Sequence, residues 1–150
     1  SENYERAVDL LTDGQERYPD AVRPWQHVLD CLNGYLVLLD ALTGDDADGE
    51  WNFGPDADSF RTVRELAALA AQTWGNGASW QQTDGEHLHE ADLLALDSSR
   101  AQQELGWANE WDFTTTVSAT VSWYKSVSAG ESPREATLRQ IDEFYSSISA

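Results

Sequence analysis

Lysine is almost missing from this sequence: eight of the nine basic residues are arginines, and only Lys125 is a lysine. Against 27 Asp and Glu, they leave a formal net charge of −18. So negative a field repels nucleic-acid phosphate and anionic lipid, which argues against DNA, RNA and membrane surfaces as partners. An acid-rich surface nearly empty of lysine fits a cytoplasm of high salt, where self-repulsion is screened. An ordinary acidic protein is the alternative, and refolding yield against potassium chloride separates the two. Cys31 is the single cysteine, so no internal disulfide can form and nothing points to an oxidising compartment. There is no basic-apolar leader and no apolar run of membrane length, so the expected location is cytoplasmic. Methionine is absent altogether, the initiator included, which reads as a piece of a longer chain.

Common catalytic signatures are missing too. No G-x-G-x-x-G follows a strand, no G-x-x-x-x-G-K-[ST] cradles phosphate, and no G-x-S-x-G elbow occurs. Val121 stands four residues before Lys125, so a tyrosine-lysine dyad is absent. The acidic turn from Gly44 to Gly49 lacks calcium-loop spacing and a closing glutamate, and reads as a solvated loop. His87 and His89 share a face if extended, but no third ligand is evident for zinc. No catalytic, cofactor-binding or metal residue is therefore assigned.

What is present is enough for one domain over residues 1–150, with seven tryptophans to build a core. Apolar spacing predicts helices over 3–13, 28–43, 113–128 and from Pro133 onward. The 28–43 helix is apolar on more than one side and is expected to be well buried. Gly34 within it costs about 1 kcal/mol relative to alanine, which points to a close neighbouring backbone. Thr62 to Glu65 and Ser132 to Glu135 have capping-box spacing, the second with proline at the first helical position. Asp97-Ser98-Ser99 caps a short helix that ends at Gly106. Short strands are expected at 50–55, at 78–82 and through Leu96. On the last helix, Ala136, Leu138, Ile141, Phe144 and Tyr145 are expected to face inward.

The stretch Arg23-Pro24-Trp25-Gln26-His27-Val28-Leu29-Asp30 concentrates the binding chemistry. Pro24 disfavours helix at Arg23, so the segment starts extended and becomes helical only after His27. Alternation then puts Arg23, Trp25 and His27 on one face. A guanidinium, an indole and an imidazole together suit a ligand with an aromatic ring and phosphates. Equally, Arg23 could pair with a carboxylate, Trp25 be core and His27 cap the helix.

This stretch, with Pro19-Asp20-Ala21-Val22 before it, resembles the substrate-side motif of CDP-glucose 4,6-dehydratases, members of the extended short-chain dehydrogenase/reductase superfamily. The resemblance continues through Gly34-Tyr35-Leu36, Trp51-Asn52-Phe53-Gly54-Pro55, Trp74-Gly75 and Ala78-Ser79-Trp80. It goes on through Gly85-Glu86-His87-Leu88-His89-Glu90-Ala91, Leu96-Asp97 and Leu105-Gly106-Trp107, and closes at Thr120-Val121-Ser122-Trp123-Tyr124-Lys125. Cys31 departs from a proline found in many members, and residues 1–18 match only loosely. The resemblance implies an α/β, Rossmann-type enzyme of which this is the helix-rich C-terminal substrate-binding portion, with several short strands. The N-terminal NAD-binding portion is then absent from the chain. It further implies an NAD-dependent lyase that converts CDP-glucose to CDP-4-keto-6-deoxyglucose for cell-surface polysaccharide synthesis, homo-oligomeric at full length. The fragment alone would be inactive, with its apolar faces around 28–43 and 51–55 incompletely covered.

Carried onto matching positions, Arg23 binds the nucleotide diphosphate. Trp25, His27, His89 and Glu90 are further substrate-binding candidates. The competing readings are another nucleotide-sugar dehydratase or epimerase, and a freestanding acidic binding domain without catalysis.

Overall fold

The computed structural model describes residues 20–44, 48–81 and 95–149. Strand β1 (Val22–Pro24) is followed by helix α1 (Val28–Thr43), a 3-10 turn (Ala57–Ser59) and strand β2 (Phe60–Thr62). Then come helices α2 (Val63–Trp74), α3 (Ser99–Glu104), α4 (Phe113–Ser128) and α5 (Pro133–Ile148). The described residues are thus helix-rich, with one small sheet. β1 and β2 pair antiparallel, Val22 opposite Thr62, Arg23 opposite Arg61 and Pro24 opposite Phe60.

Two helix bounds match the sequence expectation throughout, 28–43 and 113–128, and the caps explain why the chain enters helix where it does. At Thr62 the hydroxyl accepts from the Glu65 amide while the Glu65 carboxylate accepts from the Thr62 amide, a complete capping box. Asp112 accepts from the Thr115 amide at 2.7 Å and opens α4. Ser132 precedes Pro133 at the start of α5, but its side chain makes no cap bond, so that box is not formed. Ser98 likewise leaves the α3 cap to Asp97, whose carboxylate accepts from the Ser99 amide at 2.9 Å. The Ser98 hydroxyl is occupied elsewhere. It accepts from the Gly54 amide at 2.6 Å and donates to the Gly54 carbonyl at 3.2 Å.

That exchange accounts for the strand expected at 50–55. Residues 51–56 are irregular, because a side chain across the fold satisfies the Gly54 backbone groups a ladder would have used. Phe53, Gly54 and Pro55 are buried, so this face is covered, contrary to expectation. Phe53 lies edge-on to Trp107 at 5.2 Å and presses its ring against Gly34. The close neighbour of Gly34 is therefore an aromatic ring and not a backbone. Residues 78–81 and 95–96 also carry no strand. The rest of those two expected strands, and the 3–13 helix, lie outside the described residues.

The helical core is formed by α2 on α4 and α4 on α5. Along α5 the buried positions are Ala136, Gln140 and Phe144, a strict four-residue spacing. Leu138 and Tyr145 instead face solvent. Gln140 can be buried because its amide donates to the Ala119 carbonyl of α4 at 2.5 Å. α1 is the main departure. Only Asp30 and Gly34 are buried along it, while Val28, Leu32, Tyr35, Leu36, Leu39 and Leu42 are exposed. The helix is not well buried among the described residues, as the expectation of an incompletely covered face required.

Candidate functional site

The stretch after β1 is fastened to the connector before α4 at three successive points. Gln26 donates to the Asn109 side chain at 3.1 Å. The His27 ring packs on Trp111 with centroids 4.7 Å apart. The Asp30 carboxylate accepts from the Glu110 amide at 2.6 Å. Trp111 continues the stack edge-on to Phe144 at 5.2 Å. The arginine-bearing ribbon is thereby held against the helical core.

Arg23 projects from this anchored ribbon, half-buried, and donates through Nη1 to the Val22 carbonyl at 2.9 Å. Backbone bonds run from Trp25 to Ser59 and from Val63 to Ala21. Hydrogen-bonded pairs recur every second residue of an antiparallel ladder. Arg23 and Arg61 therefore occupy the hydrogen-bonded pair between them, and share the face of Trp25 and Ser59. Arg61 donates to the Phe60 carbonyl at 3.2 Å, lies 5.9 Å over the Phe113 ring and approaches Glu65 at 3.8 Å. Trp25 donates its indole N–H to the Arg61 carbonyl at 2.9 Å, which locks the two strands side by side.

His27 is turned away from this role. It is 5% exposed, keeps an extended backbone and accepts the Leu29 amide on Nδ1 at 3.3 Å, as the N-cap of α1. An acceptor Nδ1 requires an imidazole unprotonated there, and burial lowers the ring's pKa from 6.5 to about 4. The capping alternative is the one this geometry carries. His87, His89 and Glu90 lie outside the described residues.

Two features went unread in the sequence. Asp30 is fully buried, and burial raises its pKa from 3.8 to about 6 against the lowering pull of the Glu110 and Trp111 amides. Among the described residues its second oxygen has no hydrogen-bond partner. Arg61 was the other omission; the signal available was the short Phe60-Arg61-Thr62 run directly before a capping box, a place where a strand can end.

No family model matches the chain. It is 38% identical over 132 residues to the CDP-glucose 4,6-dehydratase of Salmonella typhimurium, covering 87% of this chain and 37% of that protein. It is related to the 4,6-dehydratases of nucleotide-activated glucose. A second relative is the dTDP-glucose 4,6-dehydratase of Streptomyces griseus, 32% identical over 125 residues, which cover 79% of this chain and 36% of that protein. The chain thus spans little more than a third of the length of these 4,6-dehydratases, and the similarity supports a C-terminal portion of such an enzyme. Among the described residues no helix is long and apolar enough to cross a membrane, and no cluster of His, Cys, Asp and Glu could hold a metal.

Proposed function

We propose that this chain is the substrate-binding C-terminal portion of an extended short-chain dehydrogenase/reductase that converts CDP-glucose to CDP-4-keto-6-deoxyglucose. In this reading the chain supplies Arg23 to the diphosphate, and the complete protein is a cytoplasmic, homo-oligomeric lyase. A guanidinium fork matches phosphate oxygens in pairs, and Arg23 is held on a ribbon braced from both sides. NAD would carry the oxidation and reduction. The residues present do not fit it: the sequence has no glycine-rich turn, and the described strands form an antiparallel ribbon in place of a parallel β-α-β unit. No redox step is assigned to this chain.

The observation that carries the reading is the 38% identity with a CDP-glucose 4,6-dehydratase. The dTDP-glucose relative favours a second reading with a different nucleotide. Titrating CDP-glucose, CDP and dTDP-glucose into the full-length protein separates the two. Tightest binding of CDP-glucose is expected, and a preference for dTDP-glucose refutes the CDP assignment. Binding of none of the three refutes the nucleotide-sugar reading itself. Arg23→Ala should weaken CDP-glucose at least tenfold, the scale of a lost charge-assisted hydrogen bond.

A further inference from the structure

The dipeptide Asn-Gly occurs twice in the sequence, at Asn33-Gly34 and at Asn76-Gly77. Such a pair is open to an internal reaction, because glycine puts no side chain in the way when its backbone nitrogen turns on the preceding carboxamide. The fold gives the two copies opposite surroundings. Asn33 and Gly34 lie inside α1, where the Gly34 N–H belongs to the helical ladder and donates to the carbonyl four residues back. Gly34 is buried, with the Phe53 ring against it. Turning its nitrogen toward the Asn33 side chain requires the helix to open.

Asn76-Gly77 sits at the centre of a four-residue turn just after α2. The Ala78 N–H donates to the Gly75 carbonyl at 3.0 Å, and φ is 54° at Asn76 and 76° at Gly77. Positive φ at both central positions is the pattern of a type I′ turn, and asparagine tolerates that backbone better than other side chains do. The surface is exposed from Asn76 to Ser79. Nothing lies within 4 Å of where a Gly77 side chain would begin. Among the described residues the Gly77 N–H makes no hydrogen bond.

From this contrast we infer that Asn76 is a modification site, where the folded protein deamidates spontaneously to aspartate and isoaspartate. The Gly77 backbone nitrogen gives up its proton to base and attacks Cγ of Asn76. An N–Cγ bond forms, the Cγ–Nδ2 bond breaks, and Nδ2 leaves as ammonia, which closes a succinimide ring. Water then opens the ring at one carbonyl or the other, giving aspartate or isoaspartate. Nothing is oxidised or reduced, and solvent water is the only co-reactant. Either product adds a negative charge to a chain already at −18. Isoaspartate also routes the backbone through the former side chain, which the Ala78-to-Gly75 hydrogen bond does not accommodate. The damage falls beside the point where Lys125 holds the Trp74 carbonyl at 2.8 Å, so it loosens the link between α2 and α4.

The test is timed incubation of the full-length protein, wild type and Asn76→Gly, at pH 6 and pH 8, with peptide mapping and isoaspartate labelling at both Asn-Gly pairs. Glycine keeps the positive φ but has no carboxamide. Conversion at Asn76 is expected in the folded protein, faster at pH 8 than at pH 6, and absent from Asn76→Gly. Asn33 should convert at least about tenfold more slowly, because its helix must first open locally. In urea, where the fold holds neither site, the two should convert at similar rates. If Asn76 stays intact in the folded protein while both sites convert in urea, the turn protects the residue and the inference is overturned. Equal conversion at the two sites in the folded protein overturns it as well, since the turn then singles out nothing. A rate at Asn76 that does not change with pH rules out attack by the Gly77 nitrogen.

Discussion

His27 and Asp30 titrate in opposite directions over the same pH range, and separating them is the sharpest check on the anchoring described above. Asp30 has its pKa raised from 3.8 to about 6 by burial. Between those values the folded protein keeps a proton that the unfolded chain has released, so stability falls as pH rises through about 4 to 6. His27 has its pKa lowered from 6.5 to about 4. There the unfolded chain binds a proton that the folded protein refuses, so this contribution is fully present above 6.5 and is lost as pH falls toward 4. At about 1.4 kcal/mol per pH unit of displacement, each group alone changes stability by about 3 kcal/mol. The two signs oppose, so they largely cancel in the wild-type protein.

Asp30→Asn breaks that cancellation while retaining an acceptor for the Glu110 amide. Its stability relative to wild type should rise by about 2 to 3 kcal/mol between pH 4 and pH 7, the lower value allowing for water reaching the site. His27→Asn retains an N-cap acceptor and should do the reverse, losing a similar amount relative to wild type over the same interval. Equilibrium unfolding in urea at pH 4, 5, 6 and 7, at constant ionic strength, reads both. The carboxylates held below their usual range by their own hydrogen bonds, Glu65, Asp112 and Glu131 among them, are common to all variants and drop out of the differences. A difference that stays flat with pH for Asp30→Asn would refute the burial of an ionisable carboxyl beneath the connector.

Other outcomes are expected from single contacts. Gly34→Ala drives a methyl group into the Phe53 ring, so thermal unfolding should show a loss of about 1 to 3 kcal/mol despite alanine's helical advantage. Thr62→Ala removes the capping box of α2 and should cost about 1 kcal/mol in urea unfolding. Phe144→Ala empties a buried site beside Trp111 and should cost about 3 to 5 kcal/mol. The 150-residue chain should associate with rising concentration in sedimentation experiments, because α1 presents six large apolar side chains to solvent. Leu32→Glu with Leu39→Glu should abolish that association.

Helices were legible where a local device sets their ends. Pro24 and His27 start α1, and the Thr62–Glu65 box starts α2. Strands were not, because a strand needs a partner and the sequence around 50–55 does not reveal that Ser98 takes both polar groups of Gly54. β2 escaped notice for the complementary reason: three residues are too few for an alternation to register, and pairing with β1 defines it. On α5 the inward face was drawn by hydrophobicity through Ala136, Leu138, Ile141, Phe144 and Tyr145, and Ala136 and Phe144 are buried as expected. Leu138 and Tyr145 are exposed, and the third buried position is Gln140, whose hydrogen bond to the Ala119 carbonyl of α4 sequence hydrophobicity does not reveal. The extended backbone at Arg23 was readable from Pro24. Arg61 was not, because only strand register brings it alongside.

The eight residues from Arg23 to Asp30 contain two kinds of residue, and burial separates them. His27 and Asp30 point into the connector, where their protonation is set by the fold. Arg23 and Trp25 lie on the ribbon, with Arg61 opposite. Similarity to a relative spans the whole stretch and cannot divide it. Measurements can: substitutions at His27 and Asp30 should move the pH dependence of stability, whereas one at Arg23 should move affinity for the nucleotide diphosphate. If all three responded alike in both assays, the ribbon and its anchor would be one cooperative unit, and the separation of binding from scaffold within this motif would fail.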